Sequence, residues 1–416
     1  MAYRLLVVLV LLAFSSCTGL IVDGDGWRGS QKSEFKSILA EDKYLSICNK
    51  QSLYKQVLSS NNSKLMSKLL VAYTNNLANG CINMKSFNAS QNAKKARNID
   101  TYYKVDYQKV DATIILTQLK DGKSIEEILK PYIPTYPQFQ ILSDKYKTLK
   151  NSGKTDKKLL RKIRVNIERT KMMTHNLGKN YLIVNVPDFN VRFIEDGKTS
   201  LMFGVVIGKY VKQTPIFSSL MKYIVINPTW NIPDSIARKS IIPHMLRDGG
   251  YLARKGIVIR KSHSLDSAKV NRRSVNWKPY IRGKGYVPYK FIQKPSSSNA
   301  LGRVKFIFPN RYSVYMHDTT GKYRFKSRTK RMRVNSSGCI RLEKPITMLN
   351  HIATKYSDKS VDFVTAKYRS RKTYNLNLIH KIPVHTTYLT TFIDECNKLI
   401  VSDDIYGFDK SQRLNF

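Results

Sequence analysis

The sequence predicts an α+β protein in which a helical N-terminal scaffold packs on a β-rich domain that carries an inserted cap subdomain. Three observations predict it. Apolar residues recur at helical spacing between about Ser30 and Met173, the period switches to short β-branched runs at Tyr181, and a basic, Gly- and Ser-rich stretch interrupts those runs between Trp230 and Leu301. At 416 residues the chain exceeds the size at which one core usually stays single, so two or three packed units are expected.

In the helical half, Leu53, Val57, Leu65, Leu69 and Leu70 set the period, and Leu159, Ile163 and Ile167 lie at four-residue steps that predict one buried stripe. Residues 91–106 are too charged and irregular to assign, and 151–158 read as a solvated turn. Strands are predicted at 181–186, 191–194, 202–207, 223–226, 304–308, 313–316, 361–364 and 384–392, with a hairpin turn at 394–398. The insertion spans 231–299, begins as a helix at 235–246, and is long enough to act as a lid. The expected organisation is a signal peptide at 1–20, a scaffold at 21–175, the β-rich domain at 176–375 and a C-terminal β-hairpin extension at 376–416. No internal repeat has a solenoid period.

Composition restricts the function. A hydrophobic fraction of 42%, with 25 Tyr and 16 Phe, argues against a disordered chain. The 72 Lys and Arg against 29 Asp and Glu give a formal charge of +43, which attracts nucleic acid, anionic lipid and anionic cell-wall polymer alike. Arg4 precedes an apolar run at 5–14 that is too short to span a bilayer but suits a signal peptide, so export is expected and genomic DNA is disfavoured as a partner. Ser15, Ser16 and Cys17 end that run and permit either ordinary cleavage or lipoprotein processing at Cys17, although Phe14 is a poor fit to the latter. A membrane contact is expected only through that N-terminal lipid or signal anchor. Of the five cysteines, Cys48 and Cys81 are candidates for a disulfide in an oxidising compartment. No two cysteines lie at CxxC spacing and the seven histidines do not cluster, so neither a metal nor a cofactor is expected.

Chemistry concentrates in Tyr315-Met316-His317-Asp318-Thr319 and Asn335-Ser336-Ser337-Gly338-Cys339-Ile340-Arg341-Leu342. A thiol attacks a carbonyl only as thiolate, so Cys339 needs an imidazole that takes or shares its proton, and His317, 22 residues earlier, is the candidate. Gly338 allows a tight turn and a close substrate approach, with neighbouring amides available to an oxyanion. Ser336 and Ser337 add small hydrogen-bonding groups, and Arg341 is placed to pair a substrate carboxylate. On residue types alone, a buried thiol and a satisfied core histidine remain the commoner pattern.

The run from Ser336 to Arg341, preceded by His317-Asp318-Thr319, resembles the active-site signature of the L,D-transpeptidase (YkuD-type) family, in its large Gram-negative subgroup with serine before the glycine. Further blocks resemble that subgroup in the same order: Asn227-Pro228-Thr229-Trp230-Asn231-Ile232-Pro233, Asp248-Gly249-Gly250-Tyr251-Leu252-Ala253, Asn299-Ala300-Leu301-Gly302-Arg303-Val304-Lys305-Phe306 and Asp403-Asp404-Ile405-Tyr406-Gly407. The likeness covers about 162–409.

The resemblance implies acyl transfer with peptidoglycan stem peptides as partners. Cys339 would attack the carbonyl of the third residue of a tetrapeptide stem, D-alanine would leave, and an acceptor amine would take the thioester to give a 3→3 cross-link. Water as acceptor would make the protein an L,D-carboxypeptidase, and carbapenems would acylate the same thiol. The resemblance gives His317 the general-base place, Gly338 and Cys339 the oxyanion backbone, and Arg341 a supporting or substrate-binding role. Tyr315 would flank the site, and the ring of Trp230 would either wall the cleft or belong to a core. It leaves orientation of His317 to a main-chain carbonyl rather than to Asp318. The connection 320–335 is a few residues longer than in those relatives and strongly basic, and no small peptidoglycan-binding module is recognisable. Two other classes stand against an enzyme: a domain that binds peptidoglycan without chemistry, which the intact His317 and Cys339 disfavour, and a nucleic-acid binder, which lacks any reader motif.

Overall fold

The computed structural model describes residues 26–281, 285–327 and 329–415. The expected signal segment, with Arg4, the 5–14 run and Cys17, lies outside the described residues. The chain forms two compact units. One ends at Leu77 and also takes in Lys109–Ile133; the other contains Ala78–Gln108 and Pro134–Asn415. Residues 78–108 and 134–175, grouped with the helical scaffold on sequence grounds, therefore lie in the larger unit, which also holds the β-rich domain.

The smaller unit is helical. Its helices Gly29–Ala40, Gln51–Ser59, Ala112–Lys120 and Ile125–Leu129 are joined by most of Ser63–Asn79. Ser124 caps the last of the four with a reciprocal box, accepting from Glu127 N while the Glu127 carboxylate accepts from Ser124 N. Gln31 ties the first helix to the later segment by donating to the carbonyls of Leu119 and Lys123.

The larger unit is built on a sheet of β1 (Asn180–Asn185), β2 (Asn190–Glu195), β3 (Lys198–Gly208), β4 (Phe217–Ile226), β8 (Val304–Ile307), β9 (Met316–His317), β10 (Val334–Ser336), β11 (Ile340–Leu342) and β12 (Tyr374–Thr387). The order is β10-β3-β11-β9-β8-β4-β12-β1-β2, and β3 also pairs with β2, so the sheet closes on itself. β1 is buried almost throughout, as its apolar run requires. Leu182, Val184, Phe193, Val205, Ile224, Phe306, Met316 and Ile340 meet in the interior with Met348, Leu349 and Ile352 of the helix Pro345–Tyr356. Each such buried side chain contributes about 1.5–3 kcal/mol of transfer free energy.

Between β4 and β8 the chain leaves the barrel to form the cap, a sheet of β5 (Trp230–Asn231), β6 (Ile257–Arg260) and β7 (Lys290–Gln293) in the order β5-β7-β6. It has its own core, including Ile232, Ile242, Met245, Trp277 and Phe291. Because Ile226 pairs with Val304, both ends of the insertion emerge side by side. The hairpin β13 (Thr391–Ile393) to β14 (Leu399–Val401) has its turn at the expected place.

Several expectations need correction, among them the strand at 384–392, which is divided between the end of β12 and the start of β13 because 388–390 leave the sheet. Residues 361–364 begin a helix, Val361–Arg369, because Ser360 caps it by accepting from Phe363 N. Within 313–316 only Met316 is in a strand; Ser313 has φ +56°, and the Asn310 side chain folds the preceding residues into a turn by bonding Tyr312 N and Val314 N. The stretch 376–416 is more than an appended hairpin, since β12 lies inside the barrel between β4 and β1.

The helix Lys157–Lys171 also departs from a single stripe: every residue from Ile163 to Lys171 is buried, charged ones included. Glu168 pairs with Arg164 and Lys171 and accepts from Cys81 N at 2.7 Å. Arg169, with no exposed surface, bonds Asp409 at 2.7 Å and Gln412 Oε1 at 2.6 Å, and lies 5.1 Å from the Tyr388 ring centre. Buried charges survive only when paired in this way. Arg169→Met should lower the unfolding free energy by about 3 kcal/mol by leaving Asp409 short of its main partner. Urea titration measures this, and an unchanged midpoint would show that Lys162, 3.7 Å from Asp409, suffices alone.

Candidate active site

Cys339 sits at the exit of a short turn between β10 and β11. β10 runs parallel to the end of β3, and β11 returns antiparallel to β3 and parallel to β9, with Arg341 opposite His317. The turn needs Gly338, whose φ is +106°; an added Cβ would find its nearest neighbours at ordinary contact distance, so conformation rather than space demands glycine. Ser336 is buried and works inside the turn, its Oγ donating to Cys339 O at 2.5 Å and accepting from Gly338 N at 3.1 Å. Ser337 is exposed.

A second layer holds this turn from behind. Thr214 Oγ1 donates to Gly338 O at 2.9 Å and accepts from Gly208 N at 2.8 Å. Tyr406 OH donates to Gly208 O at 2.6 Å and accepts from Thr214 N at 3.1 Å, while Tyr406 N donates to Tyr388 OH, which in turn donates to Asp404. The Asp404 and Tyr406 block that resembled the family in sequence is thus a support for the cysteine turn. Nothing in its spacing from Cys339 discloses that role.

The thiol is partly exposed, with Sγ 3.9 Å from Ser313 O. Tyr315 stands against it, and Lys305 Nζ lies 3.9 Å from the centre of the Tyr315 ring. Burial raises the thiol pKa, and interactions with Tyr315, Lys305 and Arg341 only partly offset it. Burial likewise lowers the Lys305 pKa. Lys305, opposite His317 in the β8–β9 register, was quoted in sequence as part of a block but assigned no role.

His317 is buried, and its Nδ1 faces Asp318 O at 2.5 Å, the main-chain orientation expected. The Asp318 carboxylate is occupied elsewhere, accepting from Arg303 N and Thr319 N and pairing with Lys322. It fills the space beside Gly302, where any Cβ would collide with it. Burial, then the Arg341 charge, press the His317 pKa down to about 4. At neutral pH the resting pair is therefore a thiol and a neutral imidazole, and no hydrogen bond joins them among the described residues. The carbonyl of Leu301, at the foot of the cap, also faces the imidazole, which couples the insertion to the site.

Arg341 is half-buried and, among the described residues, has no carboxylate partner; its Nε is buried without an acceptor. Trp230 is placed differently from these residues: its ring packs on the cap core, and β5 pairs it with Gln293. The structure thus brings together Cys339, His317, Tyr315, Ser336, Gly338 and Arg341 on adjoining strands and turns, whereas Trp230 belongs to the cap.

Residues 179–362, which include this constellation, match the family model described as the L,D-transpeptidase catalytic domain (YkuD). Over somewhat less than half of its length the chain is thus similar to an L,D-transpeptidase catalytic domain. A curated Haemophilus influenzae protein named "Putative L,D-transpeptidase" is 26% identical over 258 residues, which are 62% of this chain and 50% of the relative, so the chain spans about half the length of that relative. Two solved structures are also similar. The catalytic domain from E. faecium L,D-transpeptidase is 14% identical, with a TM-score of 0.20, covering 51% of this chain and 99% of the other. A cysteine-to-serine mutant of Enterococcus faecium L,D-transpeptidase is 10% identical, with a TM-score of 0.21, covering 71% and 99%. Scores this low carry no argument.

The raised thiol pKa has a direct consequence. Alkylation of Cys339 by iodoacetamide, followed by peptide mapping, should rise with a midpoint above the ordinary 9.0. A midpoint near 6 would mean that a thiolate–imidazolium pair already exists at rest.

Proposed function

We propose that the protein is a peptidoglycan L,D-transpeptidase in which Cys339 is the nucleophile and His317 the general base. The observation that carries the proposal is the placement of a partly exposed thiol beside the strand bearing a neutral His317, with Arg341, which has no carboxylate partner among the described residues, directly opposite His317 in the register. A neutral imidazole can accept a proton, and Arg341 offers a bidentate partner to a substrate carboxylate.

The reaction then runs as follows. As Sγ forms its bond to the carbonyl carbon of the third stem residue, the thiol proton passes to His317 when substrate binding tightens the resting geometry. Gly338 N–H is engaged by Ser336, whereas the Cys339 N–H has no backbone partner among the described residues and is available to the oxyanion. Collapse breaks the bond to D-alanine, whose amine takes the proton from His317. In the second half, His317 removes a proton from the acceptor amine as nitrogen attacks the thioester carbonyl, and the thiol is regenerated. Exclusion of water in favour of an amine distinguishes cross-linking from trimming. The Arg4 and 5–14 pattern supports export to the compartment that holds peptidoglycan, and among the described residues no helix is long and apolar enough to cross a membrane.

Incubating a fragment that lacks residues 1–20 with purified tetrapeptide muropeptides should yield dimers short of one D-alanine, seen by mass analysis. Cys339→Ala should yield none. Tripeptides alone would identify an L,D-carboxypeptidase, and retained peptidoglycan binding without any product would identify a binding domain. The pH dependence has a defined sign: kcat/KM should hold as pH falls through 6.5 and drop only as His317 is protonated near pH 4. An acid limb centred at 6–7 would contradict a buried, neutral His317.

A further inference from the structure

A cavity of about 280 Å3 is built largely from residues outside the matched catalytic segment. One wall is the helix Met84–Ala96, which supplies Gln91 and Lys95; a second is the extended chain at Thr101 and Tyr102; the third is Arg311 and Tyr312. Arg311 and Tyr312 immediately precede Ser313, whose carbonyl faces Cys339 Sγ. The extended chain is anchored to the loop that also supports the cysteine turn: Asp100 pairs with Lys212 and Tyr103 with Ile216, Gln213 N donates to Asp100 O at 2.9 Å, and Thr214 in the same loop holds Gly338 O. Cavity and nucleophile turn therefore share one rigid support.

The lining is chemically one-sided. Tyr102 and Tyr312 place their rings 4.9 Å apart, with Lys95 Nζ 5.2 Å from the Tyr102 centre and the Arg311 guanidinium 5.1 Å from that of Tyr312. No carboxylate lines the cavity. Gln91 is 7% exposed; its Oε1 accepts from Thr101 Oγ1 at 2.6 Å, but its Nε2 is buried without an acceptor. A buried amide donor left unmet is destabilising, and a ligand oxygen would satisfy it.

We propose that this cavity is a substrate subsite for a carboxylate of the peptide other than the one facing Arg341, held by Gln91 Nε2, Lys95 and Arg311 against the two tyrosine rings. The inference rests on the proposed peptide substrate, and it assigns the helix Met84–Ala96 and the chain after it a part in specificity. Two separated cationic donor groups, Arg341 and the Lys95–Arg311 pair, match a peptide that carries two separated carboxylates.

The test is calorimetric binding to the full chain with Cys339→Ala, which removes turnover from the reading. The probes are a tetrapeptide stem with a free carboxylate on the residue preceding the diamino acid, and the same peptide with that carboxylate amidated. The free carboxylate should bind about tenfold more tightly, as one charge-assisted contact implies. Adding Arg311→Gln or Lys95→Gln should shrink that ratio to about twofold or less. Lys154→Gln, exposed and away from the cavity, should leave it unchanged, which separates a built site from the general field of a +43 chain. Equal binding of the two peptides, or a ratio that survives both cavity substitutions, overturns the subsite. A preference for disaccharide-bearing over free peptide that is lost in the cavity variants overturns it in favour of a sugar site. Absence of products from the unmodified protein, with the carboxylate ratio intact, would instead count against the proposed reaction alone.

Discussion

Strand β3 has to satisfy two neighbourhoods at once. Its early residues pair with β2 and close the barrel, while its late residues, Val205 to Gly208, hold β11 and β10 on either side of the cysteine turn. Closure removes free edges, so the end of β3 becomes a fixed platform. Gly208 terminates it where Thr214 N and Lys212 O approach so closely that no Cβ fits. From that point Thr214, Tyr406, Tyr388 and Asp404 form a continuous chain of hydrogen bonds to the carbonyl of Gly338. The Cys339 turn is held by strands and buried hydroxyls rather than by a mobile loop, the kind of support that precise placement of a side chain requires.

The electrostatics follow from the same burial. His317 is enclosed between strands and loses basicity because water cannot solvate its charge, and Arg341 across the register adds to that loss. The thiol is pushed up for the same reason. A neutral pair is poised differently from an ion pair: in the proposed reaction charge would separate only with substrate present, and the nearby cations, Lys305 and Arg341, would then face a developing thiolate. The cap reaches this chemistry through a short hinge, because Gly302 lies against Asp318 and Leu301 faces the imidazole.

Much of the β-rich half was legible because period and punctuation coincide there: β1, β2, β4 and β8 fall where short apolar runs end at Pro, Asp or Gly. The failures have separate causes. Residues 361–364 are β-branched enough to resemble a strand, yet the N-cap at Ser360 outweighs that propensity. The 313–316 run contains a left-handed Ser313 that only the Asn310 turn accounts for. The helix Lys157–Lys171 buries Arg164, Glu168, Arg169 and Lys171 because partners as remote as Asp409 and Gln412 are brought to it.

By itself the sequence determined the α+β character and the interrupted β half with its insertion, and its motifs singled out His317 and the glycine-preceded Cys339 as candidates for a chemical centre. These are properties of local period, turn chemistry and short motifs, which are written contiguously. Only the tertiary structure decided that Trp230 belongs to the cap core, that Lys305 faces Tyr315 and the thiol, and that Tyr406 supports the cysteine turn. The same holds for Gln91 and Tyr102 beside Tyr312, more than two hundred residues apart in the chain. Such contacts depend on which strands become neighbours when the barrel closes, and strand order is fixed by long-range burial rather than by any local pattern.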